Sequence, residues 1–153
     1  MSPLRAHHVG ITVSNLEAAI EFFTLLLQRE PDLTFHRVDM PFLDEITGYD
    51  DIDMRFAFFT LPGDGVQVEL IEYRRPRPGT VNQETFNVGS THICIQVDDI
   101  DAEFARWSAA GVEFRSTRPV ETPPGALGGS RWLYLRAPDD NYTIELCELP
   151  QDG

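Results

Sequence analysis

The sequence predicts an α+β fold made of two tandem copies of one βαβββ unit, and two internal alignments support this prediction. The segment that begins at His8 matches, without a gap, the segment that begins at His92, 84 residues later. Residues 55–73 match residues 131–149 at an offset of 76. Because both the start and the end of the unit recur, we interpret the chain as a duplication. We therefore expect a single domain over residues 1–153.

The limits of the two copies follow from the aligned segments and from the Pro-rich stretch between them. We place module one at residues 5–75, a linker at 76–89 and module two at 90–149. The change of offset from 84 to 76 means that the first copy holds eight more residues between its helix and its third strand. The variable loops are expected at that point.

The first module opens with a strand and a helix. Residues 9, 11 and 13 are apolar and alternate with residues 8, 10 and 12, which is the period of a half-buried strand. Ser14 or Asn15 can then cap a helix, because both side chains accept hydrogen bonds from free backbone N–H groups. Apolar residues recur at helical spacing from there until Pro31, which ends the predicted helix.

Three more strands complete the first module. The less regular stretch 33–53 is predicted to hold one strand and a turn at Gly48. Residues 55–61 and 66–73 are predicted to form a hairpin around the turn-forming residues 62–65.

The second module repeats this order, and Gly111 is expected to end its helix. Its predicted elements are a strand at 91–97, a helix at 100–110, a short strand at 112–115, a loop at 116–129 and a hairpin of 131–136 with 142–149.

The composition argues against several classes of function. The net charge is −13, and all twelve basic residues are arginine. Without lysine the chain cannot form a Schiff base with a substrate or with pyridoxal phosphate. The acidic balance argues against nucleic acid, whose phosphates are bound by cationic side chains. The apolar runs are too short and interrupted for a membrane span or a signal peptide, so a cytoplasmic location is the default expectation.

Arginines stand out at two kinds of position. The run of Arg74, Arg75 and Arg77 is a candidate anchor for an anionic small-molecule substrate, although a solvated linker is the simpler interpretation. Arg55 and Arg131 are equivalent in the repeat and could bind a carboxylate. Their position at the start of a strand favours plain exposure to solvent instead.

Four residues with metal-binding side chains lie on the side of their strands that faces away from the aliphatic core. Side chains alternate along a strand, so His8 shares its side with Gly10 and Thr12, opposite the aliphatic residues. The candidates selected in this way are His8, Glu69, His92 and Glu145. Imidazole and carboxylate groups cannot be left unpaired in a protein interior. Two of each suit one divalent ion per site, such as zinc, nickel, cobalt, iron or manganese, with a position left open for water or substrate.

The sequence resembles the vicinal oxygen chelate superfamily over nearly its whole length, from His-Val-Gly-Ile-Thr-Val at 8–13 to Asn-Tyr-Thr-Ile-Glu-Leu at 141–146. That superfamily includes glyoxalase I, methylmalonyl-CoA epimerase, extradiol dioxygenases, fosfomycin-resistance enzymes and bleomycin-binding proteins. The resemblance implies a curved mixed sheet around a metal-binding cavity, and a homodimer. It also implies a ligand set, whose positions are matched here by His8, Glu69, His92 and Glu145.

A complete set of two histidines and two glutamates is similar to that of the glyoxalase I and methylmalonyl-CoA epimerase branch. The resemblance therefore implies a metal-dependent lyase or isomerase that abstracts a proton next to a metal-chelated carbonyl. Glu145 matches the position of the catalytic base, and Glu69 is its counterpart in the other module. Whether glutathione or coenzyme A takes part stays open.

Two alternatives are retained. An extradiol-type dioxygenase needs two histidines and one glutamate, which His8, His92 and Glu145 could supply, and Tyr134 lies four residues before Pro138, where that family often has its active-site tyrosine. The chain lacks the additional pocket histidines that those enzymes share. A non-catalytic protein that binds a small-molecule drug is compatible with the charge of −13 but does not need the four ligands.

Overall fold

The computed structural model describes residues 4–63, 65–125, 128–137 and 142–150, and it confirms the α+β architecture with two βαβββ units. Contacts within the chain divide it into two compact units, residues 1–80 and 81–153. The narrower module limits and the single domain stay predictions. No helix among the described residues is long and apolar enough to cross a membrane.

Unit one contains a four-stranded mixed sheet. Its elements are β1 (His8–Thr12), α1 (Leu16–Leu27), β2 (Leu33–Val38), α2 (Pro41–Thr47), β3 (Asp53–Thr60) and β4 (Gln67–Arg75). The strand order is β1-β4-β3-β2, with β1 parallel to β4 and the other neighbours antiparallel. The first and last strands of the unit are therefore direct neighbours.

Unit two repeats this topology. Its elements are β5 (His92–Gln96), α3 (Ile100–Ala109), β6 (Val120–Glu121), β7 (Arg131–Arg136) and β8 (Thr143–Glu148). The strand order is β5-β8-β7-β6, and β5 runs parallel to β8. The predicted strand and hairpin positions agree with these elements to within a few residues, apart from β6.

Helix α1 follows the predicted rules at its start. The side-chain oxygen of Asn15 accepts a hydrogen bond from the backbone N–H of Ala18 at 3.1 Å, which makes Asn15 the N-cap. The helix buries Phe23, whose ring contacts Phe59 with centroids 5.9 Å apart. It ends before Pro31, because Gln28 takes a left-handed conformation with φ of 53°.

Helix α2 was not predicted, because the stretch 33–53 was expected to hold only a strand and a turn. Pro41 suits the first turn of this helix, and Gly48 ends it with φ of 73°, its N–H donating to the carbonyl of Asp44. The helix has no buried residue. Its three apolar residues, Phe42, Leu43 and Ile46, lie in a segment of only seven residues, which is too short to reveal a helical period in the sequence.

The expected strand at 112–115 is wrong. Only one bridge forms there, between Phe114 and Leu135, flanked by hydrogen bonds from Arg115 N–H to the Tyr134 carbonyl and from Arg136 N–H to the Glu113 carbonyl. The chain then leaves β7, so no ladder develops. The strand of this unit is instead β6, which lies inside the stretch predicted as a loop.

Three predicted connections fall partly outside the described residues. They are the hairpin turn 62–65, which includes residue 64, the loop 116–129, which includes residues 126–127, and the connection of the second hairpin, which includes residues 138–141.

An arginine joins the helix and the sheet in each unit, and this differs from the expected solvent exposure. Arg55 donates to Glu17 in the first turn of α1 and to Glu72 of β4. In unit two, both terminal nitrogens of Arg131 donate to Asp101 of α3 at 2.8 Å. The two arginines are half-buried and already paired with carboxylates of their own unit.

Candidate metal centre

The burial of the strands agrees with the predicted alternation. Val68 and Leu70 of β4 are fully buried, while Glu69 between them is partly exposed. In β1, His8 is exposed and Ile11 is buried. Val9 differs from the prediction, since 41% of its surface is exposed on this edge strand.

His8 and Glu69 form a close pair in unit one. The Nε2 atom of His8 lies 3.3 Å from Oε2 of Glu69, with 43% of the histidine side chain and 14% of the glutamate side chain exposed. The pair forms because β1 and β4 are parallel neighbours and Gly10 lies directly opposite Glu69. The other ring nitrogen of His8, Nδ1, is 2.9 Å from Nδ1 of His7.

Burial sets the acidity of Glu69. It raises the pKa of this carboxyl above its ordinary value, and the charges of His8 and His7 oppose the shift. The negative form of Glu69 is thus only partly compensated by the neighbouring imidazoles, and a bound cation would compensate it further.

His92 and Glu145 reproduce the same geometry in unit two. The Nε2 atom of His92 lies 3.3 Å from Oε2 of Glu145, with 38% and 14% of the two side chains exposed. Here β5 and β8 are the parallel neighbours, and Cys94 lies directly opposite Glu145. Each unit therefore brings together one imidazole and one carboxylate on the face predicted from the sequence.

An aromatic ring stands beside each pair. Phe58 lies opposite Glu69 in the ladder, and its ring meets His8 edge-on with centroids 6.4 Å apart. Tyr134 lies opposite Glu145, and its ring meets His92 in the same manner at 5.4 Å. The sequence offset of 76 relates these two aromatic residues.

Near Glu69, the same face of unit one carries a cluster of aromatic and aliphatic side chains. Phe35 packs between Phe56 and Phe58, with ring centroids 4.8 and 6.0 Å away. Ile71 and Tyr73 of β4 belong to the same cluster. A ligand on this face would meet a wall of aromatic and aliphatic side chains.

The corresponding face of unit two is more polar. Nη1 of Arg115 and Nη2 of Arg136 each lie 2.6 Å from a carboxylate oxygen of Glu84. Hydrogen bonds from the two arginines lower the pKa of Glu84. Within the described residues, the Nε atom of Arg115 is buried and has no partner. Glu84 was missed by sequence reasoning because it lies in the predicted linker.

The donor types fit a divalent metal ion, and each unit supplies half of the predicted ligand set. Neutral imidazole and carboxylate oxygen are the ligands that zinc and its neighbours accept. In the part of the chain that the structure describes, no group of three or more His, Cys, Asp or Glu side chains is arranged for a metal ion. The assignment of all four residues to one ion stays a prediction.

Comparison with known proteins identifies relatives of this chain. The sequence profile described as Glyoxalase/Bleomycin resistance protein/Dioxygenase superfamily matches residues 7–134, a range that includes three of the four candidate ligands and ends before Glu145. A protein of an Actinomyces species, 2-epi-5-epi-valiolone epimerase, is 33% identical over 150 residues, covering 94% of this chain and 79% of that protein.

Solved structures share the fold. A glyoxalase family protein from Bacillus cereus has a TM-score of 0.83 at 21% identity, covering 97% of this chain and 96% of that one. Glyoxalase I of Leishmania major has a TM-score of 0.61 at 20% identity, covering 95% and 87%. Together with the sequence profile, the repeated topology and the paired His and Glu residues, these matches confirm the resemblance noted in the sequence. The chain belongs to the glyoxalase/bleomycin resistance protein/dioxygenase superfamily.

Proposed function

We propose that this protein is a divalent-metal-dependent epimerase, or a closely related isomerase or lyase, which moves a proton on the carbon next to a carbonyl group. The observation that carries the proposal is the His–Glu contact of 3.3 Å, repeated in both units. The similarity to an epimerase over almost the whole chain supports the same class of reaction.

His8, Glu69, His92 and Glu145 would hold the ion, supplied either by one chain or by two copies in a homodimer. When bound, a divalent ion polarises a carbonyl oxygen and neutralises the negative charge that develops when the neighbouring proton leaves. Partial burial raises the pKa of Glu69, and a bound cation would favour its charged form.

Glu69 and Glu145 would transfer the proton. Inversion of a carbon atom requires that a proton leave on one face and return on the other, so two proton-carrying groups are useful. The two carboxylates belong to different units and share the same local geometry. Both have partly exposed side chains, which a substrate could reach.

The substrate is proposed to be a ketone with a stereocentre beside the carbonyl. This follows the name of the Actinomyces relative, which describes epimerisation of a ketone. The partly buried rings of Phe35 and Phe58 would contact the carbon skeleton of such a molecule.

The proposal is tested by proton exchange. Protein supplied with zinc or manganese is mixed with 2-epi-5-epi-valiolone in D₂O, and NMR follows loss of the proton next to the carbonyl. We expect exchange with the wild type and a decrease of about 10²-fold or more for Glu69→Gln and for Glu145→Gln. Glu121→Gln, on the exposed strand β6, is the control that should exchange normally. Exchange at the same rate in all three variants would refute the assigned roles.

The contact between Tyr134 and His92 favours one second candidate, an extradiol-type dioxygenase. This reaction requires iron and molecular oxygen. Protein loaded with Fe²⁺ would consume oxygen on addition of a catechol, and the ketone would show no exchange. Absence of oxygen uptake across a panel of catechols removes this candidate.

A further inference from the structure

The aromatic rings beside the two His–Glu pairs differ by a single hydroxyl group. In unit one the ring beside the pair is Phe58, and in unit two it is Tyr134. Each ring lies directly opposite its glutamate in an antiparallel ladder. Residues directly opposite one another on such a ladder have their Cβ atoms about 4.5–5.5 Å apart, so the side chains touch. The phenol oxygen is therefore present beside Glu145, and its counterpart beside Glu69 is missing.

The hydroxyl of Tyr134 is a hydrogen-bond donor at neutral pH. The carboxylate of Glu145, which lies directly opposite Tyr134 in the ladder, offers acceptor oxygens to this hydroxyl.

The backbone of Tyr134 is held from two sides. Strand β8 pairs with it on one side through Glu145. On the other side, the N–H of Arg115 donates to its carbonyl at 3.0 Å. The ring is confined further by the edge-on contact with His92. The position of the hydroxyl is therefore set by the sheet rather than by a mobile loop.

We propose that Tyr134 is a positioning residue whose hydroxyl fixes the carboxylate of Glu145, so that Glu145 and Glu69 are not equivalent in the reaction. This inference rests on the proposed function, because it concerns how one of the four ligands is oriented. The hydroxyl restrains rotation of the Glu145 carboxylate and leaves its Oε2 atom directed at His92. Phe58, the ring opposite Glu69, carries no such donor.

The consequence is measurable as metal affinity. Hydrogen-bond partners of a metal ligand typically change metal affinity by about 10–100-fold when they are removed. Tyr134→Phe makes the ring of unit two the same as that of unit one. We therefore expect Tyr134→Phe to bind Zn²⁺ about 10-fold or more weakly, while its kcat falls and its KM for the ketone changes little.

The experiment titrates metal-stripped, untagged protein with Zn²⁺ against a chromophoric chelator. Tyr142→Phe is the matched control, since Tyr142 is a buried tyrosine of the same unit that belongs to neither His–Glu pair. It should bind Zn²⁺ as the wild type does. Adding Phe58→Tyr to the Tyr134→Phe protein should not restore the affinity, because the new hydroxyl would lie beside Glu69. Circular dichroism and the unfolding midpoint establish that each variant is folded. Tyr134→Met serves as a second variant, with the same expected loss of Zn²⁺ affinity.

The outcomes separate the inference from the function on which it rests. Weaker Zn²⁺ binding by Tyr134→Phe and normal binding by Tyr142→Phe support the inference. Equal Zn²⁺ affinity of folded Tyr134→Phe and wild type overturns it and leaves the proposed function in place. A wild type that binds no Zn²⁺, Mn²⁺, Co²⁺, Ni²⁺ or Fe²⁺ overturns the metal-dependent function, and the role of Tyr134 falls with it.

Discussion

Neighbouring residues on a strand of this protein have opposite roles. Phe59 is fully buried and packs against Phe23 of α1, while Phe58 is directed to the other face, opposite Glu69. Tyr134 and Leu135 repeat this division in unit two. The sequence alternation was sufficient to predict the face of each candidate ligand, because the side-chain period of a strand is fixed at two.

The two phenylalanines should respond differently to truncation. Phe59→Ala leaves a cavity in the core, so we expect a loss of about 3–5 kcal/mol in the free energy of unfolding. Phe58→Ala should lose clearly less, since Phe58 is only partly buried, and it should instead weaken ligand binding. Urea unfolding of both variants measures the difference. Equal losses would show that the two faces are not distinguished as described.

Asp53 gives the fold a defined response to acid. Its pKa lies below the ordinary value of 3.8, mainly because of the hydrogen bond with Nε2 of His36 at 2.6 Å. A carboxyl whose pKa is lowered by folding contributes stability at pH values above its ordinary pKa, and this contribution disappears as the pH falls through the lowered value. Asp53→Asn removes the titrating group.

We therefore expect wild type to have a larger free energy of unfolding than Asp53→Asn at pH 6, and this gap to shrink as the pH falls below 3.8, the ordinary pKa of the group. Urea unfolding at several pH values measures this gap. Glu45→Gln, which alters an exposed carboxylate of α2, provides the matched control and should show little dependence of the gap on pH. A gap for Asp53→Asn that is constant from pH 6 to pH 2.5 would contradict the assignment.

Pairs of residues far apart in the sequence could not be predicted in the same way. Arg55 meets Glu17 across 38 residues, and Arg131 meets Asp101 across 30. No local period links such residues. Their contacts depend on how a helix lies over its sheet, so solvent exposure was the expectation from sequence.

At the scale of elements, the helices were predictable where they bury an apolar stripe and carry a cap. Helices α1 and α3 satisfy both conditions. Helix α2 satisfies neither, since it buries no residue and Met40 at its N-cap makes no side-chain hydrogen bond. The short strand β6 escaped prediction because two residues are too few to show alternation.

Two adjacent aspartates test the cap of α3. The side chain of Asp99 accepts a hydrogen bond from Ala102 N–H at 2.9 Å, and Asp98 immediately before it is exposed. We expect Asp99→Ala to lower the free energy of unfolding by about 1 kcal/mol. Asp98→Ala should change it by less than about 0.5 kcal/mol. Similar losses in both variants, measured by urea unfolding, would disprove the capping role.

At the scale of the whole molecule, the duplication determines what each unit can offer. The same strand neighbours bring the same residue types together twice, so each unit contains one imidazole, one carboxylate and one ring on a single face. The sequence revealed this symmetry because the two copies align without gaps around their ligands. The sequence did not predict the Glu84 cluster that makes unit two differ from unit one. Glu84 contacts Arg115 and Arg136 only in the folded chain, because these residues are far apart in the sequence.

The fold of this protein does not by itself determine its substrate class. Members of one fold carry out many reactions, because the reaction depends on the residues of the site. The proposed proton transfer next to a carbonyl would depend on a bound metal ion. Four residues are assigned as ligands of this ion. His36, which lies outside this set and is hydrogen-bonded to Asp53, is available as a control.

The most direct test is the divalent metal content of untagged protein, measured by mass spectrometry after dialysis against a mixture of zinc, nickel, cobalt, iron and manganese and removal of the excess. We predict about one ion per set of four ligands in the wild type and in His36→Ala, and loss of most of it in His8→Ala and His92→Ala. A wild type that carries no ion and still exchanges the proton of its ketone would contradict the account, as would His92→Ala protein that keeps a full complement of metal.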